Sequence, residues 1–422
     1  MNTICLPFRP LLELNSRFLP RTRFMTLLFP TPVVYDGNDT RFLQRDGARL
    51  SQVLEECGNH GIKVILAKDG DSPKPKSPIL RTGTRTQWMD ASFWKSFGAD
   101  GALCYFGFGS KRFLPVVLAM KQAGLPLALK MDSALGLYEF PHYFSTEFRR
   151  AYWFGRQTGG PLRSIIRATC RSFGPLVRID SSRTIRYIEA FDVLTAESPL
   201  ARDNTIHWLI QRGRNDLSKK VVLLHHPIPD RFAPPDPERK SNRVLAVTLD
   251  WGNPLKGGSI LEEALRSFLK RHETWSATII GRNSERFARL QAAFGARIGL
   301  FSALSADELI PHYQSSKILC IASGSESGPI VAFEALACGC SLVFSPAIPQ
   351  LGWTVDAGIG TLAESRTPDG IAVALESESN AWLGHTERMA SIVAASPPLH
   401  ASEILERLMQ HLSLRKDLAQ SI

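Results

Sequence analysis

Long apolar runs are missing from this sequence. No segment approaches the ~18 consecutive apolar residues of a membrane-spanning helix, so we expect no such helix in the 422 residues. The first twenty residues also lack a clean apolar core, and they carry Arg9, Glu13 and Arg17. They therefore do not resemble a signal peptide, and we expect a flexible lead-in or a misplaced start.

Cysteine is scarce and scattered. The seven cysteines run from Cys5 to Cys340, and this odd number argues against a disulfide framework and for a reducing cytosol. Cys338 and Cys340 do not have a metal-ligand spacing, so core packing is their expected role. No His/Cys ligand cluster stands out. His225 and His226 are adjacent on a predicted strand and face opposite sides, so we expect at most one of them to reach a cleft.

Positive charge is in excess, and its placement is uneven. The net charge is +10, with 33 Lys and Arg against 21 Asp and Glu in residues 1–236 and 17 against 19 in the remainder. Nine arginines, interleaved with apolar residues, lie within 149–186, where Asp180 is the only acid. Three interpretations stay open: an anionic membrane surface near a lipid-linked acceptor, an anionic acceptor, or a solvated face. No nucleic-acid-binding module accompanies the charge, so we expect no nucleic-acid partner.

Hydrophobic periodicity divides the chain into two α/β units, each predicting a parallel sheet covered by helices. The expected domains are a lead-in (1–20), a first domain (21–236), a second domain (237–398) and a C-terminal helix with its tail (399–422). In the first domain we expect strands near 25–29, 61–66, 101–108, 127–130 and 191–198, a last strand with its exit over 221–229, and a loop over 69–86. In the second we expect strands near 243–249, 275–281, 296–301, 317–322, 341–345 and 358–363. Helices are expected there near 258–271, 284–294, 305–315, 329–338 and 368–376.

The stretch Ser323–Pro346 carries the strongest pattern. A loop leads through Gly328-Pro329 into a buried helix, with Pro329 at its first position and Gly339 ending it in a left-handed cap. Glu326 and Glu334 would lie roughly 12 Å apart along a helix that rises about 1.5 Å per residue. That exceeds the about 5–5.5 Å between the carboxyls of a retaining glycoside hydrolase. The pair suits the two ends of one long ligand, with a phosphate at the helix N-terminus.

These residues resemble a known signature. Glu326, Gly328-Pro329, Glu334-Ala335, Ala337 and Gly339 stand in the order typical of the family-four (group 1) retaining glycosyltransferases of the GT-B fold. The resemblance implies two Rossmann-like parallel-sheet domains facing across a cleft, with a C-terminal helix crossing back to the first domain. It covers residues 25–415 and is specific in the second half.

The resemblance also implies roles for individual residues. Glu334 would bind the nucleotide ribose, and Glu326 would lie near the transferred sugar and the diphosphate. The backbone of Ser327, Gly328, Pro329 and Ile330 would hold a phosphate. Such enzymes retain anomeric configuration and need no metal or other cofactor.

A second segment, 250–258, matches the family motif whose Arg and Lys bind the donor diphosphate. Lys256-Gly257 fits its second half, but Trp251 stands where the family has the arginine. Arg282, after the neighbouring predicted strand, is a candidate replacement; the alternative is a solvated loop arginine.

Acceptor-side candidates follow the predicted strand 127–130. Lys130 and Asp132 lie at its carboxyl end, where parallel sheets bind ligands. Asp132 would contact the acceptor or, alternatively, cap the next turn. The family often has a histidine here, and this chain has none.

The sequence therefore predicts a cytoplasmic, peripheral-membrane hexosyl-type transferase that moves a sugar from a nucleotide donor to a glycan or lipid-linked acceptor in polysaccharide or glycoconjugate biosynthesis. Its predicted catalytic residues are Glu326, Lys256 and Asp132. Two alternatives remain. One is a nucleotide-sugar epimerase or hydrolase, which would need an acid/base near the anomeric carbon. The other is a silent nucleotide-sugar-binding or scaffold protein, given the missing arginine and histidine.

Overall fold

The structure is a computed structural model of the chain. It describes residues 25–34, 50–51, 53–55, 59–67, 75–106, 111–131, 162, 165–166, 169, 182–326, 328–397 and 399–419. Two predictions, the lead-in over residues 1–20 and the contacts of Asp132, lie outside these residues, as does most of the basic segment 149–186.

The first domain is built on a seven-stranded parallel sheet with the order β3-β2-β1-β4-β5-β6-β7. Its strands are β1 (Thr26–Val34), β2 (His60–Leu66), β3 (Leu80–Gly83), β4 (Gly101–Cys104), β5 (Leu127–Met131), β6 (Val193–Ala196) and β7 (Val221–Leu223). The central strands β4, β5 and β6 are buried along their whole length, as expected when helices cover both faces of a parallel sheet.

Six described helices of the first domain contribute buried residues to one hydrophobic cluster on one face of this sheet. They are α1 (Arg85–Trp88), α2 (Ala91–Lys95), α3 (Leu114–Gln122), α4 (Ser182–Glu189), α5 (Pro199–Ile210) and α6 (Asn215–Ser218). The side chain of Ser198 accepts a hydrogen bond from the backbone N–H of Ala201, and Pro199 follows it. This cap ends β6 and starts α5, which places the carboxyl end of β6 beside the N-terminus of α5.

The second domain contains a six-stranded parallel sheet with the order β10-β9-β8-β11-β12-β13. Its strands are β8 (Ser241–Asp250), β9 (Ser276–Arg282), β10 (Ile298–Phe301), β11 (Ser316–Ile321), β12 (Ser341–Phe344) and β13 (Gly360–Leu362). Its helices are α7 (Gly258–Arg271), α8 (Ala288–Phe294), α9 (Ala306–Ser315), α10 (Ile330–Ala337), α11 (Trp353–Asp356), α12 (Pro368–Ala381) and α13 (His385–Ala395).

The predicted α/β architecture is confirmed, and the predicted strands of the second domain match β8–β13 within a few residues. The expected loop over 69–86 was wrong at its end, because Leu80–Gly83 forms β3 and Arg85–Trp88 forms α1. A four-residue edge strand after a Pro- and Ser-rich run leaves little periodic signal. Residues 105–106 were also predicted as strand, but β4 ends at Cys104. The strand predicted with its exit over 221–229 ends at Leu223.

The C-terminal helix α14 (Ala401–Ala419) returns to the first domain, as predicted. Ile404, Leu405, Leu408 and Leu412 are buried in one hydrophobic cluster with first-domain residues such as Leu27. The two segments that connect the domains are hydrogen-bonded to each other. The N–H of Ile228 donates to the carbonyl of Leu399 (2.8 Å), and the N–H of Ala401 donates to the carbonyl of Ile228 (2.7 Å).

The described cysteines confirm the expected packing role. Cys104, Cys320, Cys338 and Cys340 are free and buried, and burial raises the pKa of the Cys320 thiol to about 12. These thiols therefore stay protonated and unreactive near neutral pH.

Candidate active site

Helix α10 and the loop before it form one wall of the site. The helix residues are Ala-, Leu- and Phe-rich, and Ala332 to Ala337 are buried. Gly339 has a φ of 71°, which confirms the predicted left-handed cap. Pro329 precedes the helix as its N-cap instead of occupying its first position. The first-turn N–H groups of an α-helix have no acceptor within the helix itself; in α10 the N–H of Ala332 donates to the carbonyl of Pro329 at 2.8 Å.

Lys256 and Glu326 meet in front of this helix. The Nζ of Lys256 donates to Oε1 of Glu326 at 2.6 Å, and the hydroxyl of Ser323 donates to the same oxygen at 2.7 Å. The two charged side chains are 24% and 15% exposed. The sequence predicted both residues in one site. The structure brings Lys256 of segment 250–258 into contact with Glu326 of segment Ser323–Pro346. A cation beside a helix N-terminus favours a bound anion.

Gly257 makes this approach feasible. Its φ is 72°, and a β-carbon there would lie 2.2 Å from the carbonyl oxygen of Ala322. Only glycine combines that backbone conformation with such close contact between the loop after β8 and the end of β11. The loop thereby delivers the preceding side chain, Lys256, to Glu326.

Glu334 is 4% exposed and faces Tyr313 of α9. The Tyr313 hydroxyl donates to Oε2 of Glu334 at 2.8 Å. Burial raises the pKa of Tyr313 well above its ordinary value, and the Glu334 carboxylate adds to the effect. Sequence reasoning did not single out Tyr313. The ribose-binding role of Glu334 stays a prediction, as does the role of Ser327, which lies outside the described residues.

Trp251 stands where the family arginine was expected, and it belongs to the core. It is 3% exposed, packs edge-on against Phe287, and donates from Nε1 to the carbonyl of Ile280 at 3.1 Å. Arg282, the predicted replacement cation, is 59% exposed and lies 3.6 Å from Asp250. Its Nε donates to the carbonyl of Leu249 at 3.3 Å. This half-solvated ion pair gives Arg282 a structural partner of its own.

Another arginine lies closer to the loop that carries Glu326. The Nε of Arg366 donates to the carbonyl of Ala322 at 3.1 Å. A β-carbon on Gly324 would lie 2.8 Å from Cζ of Arg366, and one on Gly257 would lie 3.2 Å from its Nη2. The guanidinium therefore covers two glycines that flank Lys256 and Glu326 in the chain. Sequence reasoning missed Arg366, because it stands in a loop without a motif.

The first domain contributes a buried charged cluster composed of Lys130, Glu197 and His226, called here the cleft cluster. These residues follow or end β5, β6 and β7, and their side chains are 4%, 4% and 7% exposed. The Nζ of Lys130 donates to Oε1 of Glu197. Nε2 of His226 lies 2.9 Å from Oε2 of Glu197, and Nδ1 of His226 lies 3.5 Å from Nζ of Lys130. The sequence analysis pointed to Lys130 but missed its two partners.

The charge state of Glu197 follows from these contacts. Burial by itself would raise the pKa of this carboxyl. The charges of His226 and Lys130 and their hydrogen bonds outweigh burial, and they hold that pKa below its ordinary value. Glu197 is therefore a carboxylate at neutral pH, although it has almost no contact with solvent.

The cleft cluster touches the second domain. A β-carbon on Gly328 would lie 2.7 Å from Oε2 of Glu197 and 2.8 Å from Nε2 of His226. The rings of His225 and His226 both pack on Phe333 of α10, with centroids 5.5 and 5.6 Å apart. The expectation that at most one histidine reaches the cleft was wrong, because β7 ends before them and strand alternation does not apply. No histidine follows β5 itself, as the sequence shows, but His226 reaches Lys130 of that strand from the segment after β7.

Neither a metal centre nor a membrane span emerges from the residues described. Within the described ranges, no three His, Cys, Asp or Glu side chains group closely enough to hold a metal ion. Likewise, no helix in this part of the chain is both long and apolar enough to cross a bilayer.

Comparison with known families agrees with this geometry. Residues 232–390 match the family model described as glycosyl transferases group 1. The match covers most of the second domain, which is therefore similar to the group 1 glycosyl transferases. The match includes Lys256, Glu326 and Glu334, and it supports glycosyl transfer as the general activity. No curated protein matches the chain.

Solved structures of the same fold include three informative neighbours. A glycosyltransferase from Rickettsia africae has a TM-score of 0.55 and 13% identity over 93% of this chain and 98% of its own. HepE of Anabaena, solved with UDP, has a TM-score of 0.56 and 13% identity over 92% and 100%. A candidate UDP-N-acetylglucosamine 2-epimerase from Listeria monocytogenes has a TM-score of 0.54 and 14% identity over 92% and 95%. At such low identity these likenesses show the two-domain GT-B fold alone.

Proposed function

We propose that this protein transfers a sugar from a nucleoside diphosphate donor to a hydroxyl group of a glycan or lipid-linked acceptor, with retention of anomeric configuration, as a family-four hexosyltransferase. One observation carries the proposal: Lys256 and Glu326 meet at 2.6 Å beside the N-terminus of α10, within the matched domain. This places a cation, fixed N–H groups and a carboxylate around one point.

The donor lies along α10 in this proposal. Its diphosphate binds at the backbone of Ser327, Gly328, Pro329 and Ile330, where the helix dipole and Lys256 favour negative charge. Glu334 binds the ribose hydroxyls, and Glu326 faces the transferred sugar. Preorganised positive groups at the leaving diphosphate supply the largest share of the rate enhancement.

Arg366 completes the diphosphate site in place of the missing family arginine. Lys256 is paired with Glu326, so that pair adds no net charge to attract a diphosphate. A guanidinium lying over Gly257 and Gly324 restores a positive balance where the anion binds. Arg282 remains the alternative cation, although Asp250 already partners it.

UDP, which HepE of Anabaena binds, is the first nucleotide to test. We propose that transfer needs no metal and no other cofactor. One Asp-x-Asp triplet, Asp69-Gly70-Asp71, does occur in the sequence, outside the described residues. Turnover that is unchanged after dialysis against EDTA would support metal independence, and loss that Mg²⁺ or Mn²⁺ restores would contradict it.

The acceptor side includes the basic segment 149–186 and Asp132. Three apolar residues of that segment are exposed: Leu162 (72%), Ile165 (45%) and Ile166 (56%). Their spacing of three and four places them on one helical face. Such a face amid arginines favours an anionic membrane surface over a merely solvated one. We therefore propose a cytoplasmic enzyme at the inner membrane face, acting in polysaccharide or glycoconjugate biosynthesis.

A second candidate function is a nucleotide-sugar hydrolase or epimerase. It is favoured by Glu197 and His226, because a carboxylate and an imidazole beside Gly328 provide the acid/base groups that the sequence analysis did not find.

Nucleotide release separates these activities. The protein is incubated with UDP-sugars, with and without a membrane or glycan extract, and released UDP is measured. Release that requires the extract, together with sugar incorporated into it, supports the transferase. Release without acceptor supports the hydrolase, a changed sugar still attached to UDP supports the epimerase, and binding without either supports a scaffold. The anomeric configuration of the product then tests retention.

A further inference from the structure

Burial of the cleft cluster costs folding free energy, so we expect the cluster to serve a ligand. Burying a lysine and a glutamate removes both from water, and their attraction rarely stabilises a fold more than well-packed apolar residues would. The three residues come from the ends of three neighbouring strands. The carboxyl edge of a parallel sheet is where α/β domains bind ligands, and buried ionisable groups there mark functional sites.

The position of Gly328 shows which ligand the cluster faces. The backbone of Gly328 lies against Glu197 and His226, with no room for a β-carbon between them. Glu326, on the same loop, is two residues away in the chain, and α10 begins two residues after Gly328. A sugar joined to a diphosphate at this helix N-terminus must extend from the loop toward the first domain, or run along the surface of that domain.

We propose that Lys130, Glu197 and His226 form the first-domain side of the pocket for the transferred sugar. This inference rests on the proposed function, because it needs a nucleotide sugar bound at α10. The Glu197 carboxylate accepts hydrogen bonds from sugar hydroxyls, and the Lys130 ammonium donates one. In the structure these groups satisfy one another; a sugar inserts its hydroxyls among them when the domains separate and close again.

The chemistry of the cluster fits hydroxyl groups better than phosphate. Glu197 is an acceptor-only carboxylate, so it attracts donors and repels anions. Glu197 belongs to the first domain, whereas Lys256 and Arg366 belong to the second. This division sorts the ligand by charge, with the diphosphate on the second-domain side and the neutral sugar on the first-domain side.

The test compares binding of UDP with binding of a UDP-sugar by isothermal titration calorimetry. UDP-glucose, UDP-galactose and UDP-N-acetylglucosamine are titrated into the wild-type protein, and the tightest binder is carried forward. Glu197→Gln keeps the shape of the side chain and removes its charge. We expect the Kd of the UDP-sugar to rise roughly tenfold, the cost of a lost charge-assisted hydrogen bond, while the Kd of UDP changes less than twofold.

A matched control removes a buried carboxylate elsewhere. Glu378 of α12 pairs with Arg388 and accepts a hydrogen bond from Thr361 at 2.6 Å, and its side chain is 2% exposed. Glu378→Gln should leave the ratio of the two Kd values unchanged. If it shifts that ratio as much as Glu197→Gln does, or if Glu197→Gln leaves the ratio at the wild-type value, the sugar subsite is overturned.

The failure of the proposed function would look different. Wild-type protein that binds neither the UDP-sugars nor the matching ADP- and GDP-sugars overturns the donor site itself, and the subsite with it. If another nucleotide binds, the same comparison is made with that nucleotide and its sugar. If Glu197→Gln does not fold, His226→Asn carries the same expectation.

Discussion

Each domain contributes one ion pair to the candidate site, and the two pairs differ in their contact with water. Lys256–Glu326 in the second domain is 24% and 15% exposed, whereas Lys130–Glu197 in the first domain is 4% exposed on both sides. The first pair exchanges its partners with solvent at little cost, so it is suited to release Lys256 to an incoming phosphate. The second pair holds its geometry before any ligand arrives, because separating buried charges is costly.

This difference indicates how the work is divided. A partly exposed pair suits binding of a highly charged group, because the attraction between that group and the lysine offsets the free energy of removing both from water. A buried pair suits recognition of neutral hydroxyls, whose hydrogen bonds are strengthened by the low local dielectric.

Lys256→Ala should abolish measurable transfer. Removing the cation at the leaving diphosphate leaves Glu326 as an unpaired carboxylate at the same place, and we expect kcat/KM to fall about 100-fold or more. The control is Arg266→Ala, which breaks the ion pair with Glu262 in the same domain at similar exposure. Steady-state kinetics with the preferred donor measures both. Retained activity in Lys256→Ala would remove this lysine from the mechanism.

Gly328→Ala should disturb the contact between the two sides of the cleft. The new methyl group would lie within 2.8 Å of Glu197 and His226, so the domains must shift apart by a fraction of an ångström or more. We expect turnover to fall roughly tenfold, since a misplacement of about 1 Å near the reacting atoms can cost up to 100-fold. The Kd of UDP, which we propose to bind to the second domain, should change little. Gly358→Ala is not an adequate control, because the φ of 68° at Gly358 would strain any other residue. Gly384→Ala is a suitable control, since its added β-carbon would lie no closer than 3.5 Å to Glu387.

Arg366→Ala should weaken UDP binding by roughly tenfold, with little effect on uridine, because the guanidinium acts on the diphosphate. Arg282→Ala provides the opposing case. If Arg282→Ala raises the Kd of UDP and Arg366→Ala does not, the original sequence-based assignment of Arg282 is correct. Equal effects on UDP and uridine in Arg366→Ala would indicate a structural role at the end of β11.

A further prediction concerns stability instead of binding or turnover, and it is a pH dependence that comes from His225. Burial lowers the pKa of this imidazole from 6.5 to about 4, so the unfolded chain binds a proton between these values and the folded chain does not. Stability is therefore complete above about pH 6.5 and is lost as pH falls toward 4, at roughly 1.4 kcal/mol per pH unit. Between pH 7 and 5 we expect a loss of about 2 kcal/mol.

Thermal unfolding of the wild type and of His225→Asn tests this. The ring Nδ1 donates to the Glu197 carbonyl at 2.9 Å, and an asparagine amide can replace that donor. The variant should be less stable at pH 7 because it loses ring packing on Phe333 and Trp353. Its Tm should fall less between pH 7 and 5 than that of the wild type. Parallel curves for the two proteins would contradict the assignment.

The same contrast explains what could be predicted from the sequence. The second-domain site depends on short segments in which Lys256-Gly257 and the 326–339 signature stand in order, so local spacing was enough. The cleft cluster joins single residues at 130, 197 and 226, each at the end of a separate strand, and only the folded sheet brings them together. A charged residue ending the apolar run before Ser198 was the one available signal for Glu197.

Trp251 shows a different limit of sequence reasoning. The family pattern identified the missing arginine correctly, but it did not show that the indole would fill the core between β8 and β9. Nor could it find Arg366, more than a hundred residues away, since contact between its guanidinium and Gly257 depends on the packing of the loop before α12 against the start of α7.

The hydrogen bonds between Ile228 and the segment Leu399–Ala401 have a mechanical consequence. The polypeptide passes between the domains twice, and these bonds tie the two passages side by side. A single connection would let one domain rotate in any direction relative to the other, whereas two joined connections define one hinge axis. We therefore expect relative motion of the domains to be mainly opening and closing about that axis. The donor and sugar sides of the pocket would meet in the same register on every cycle.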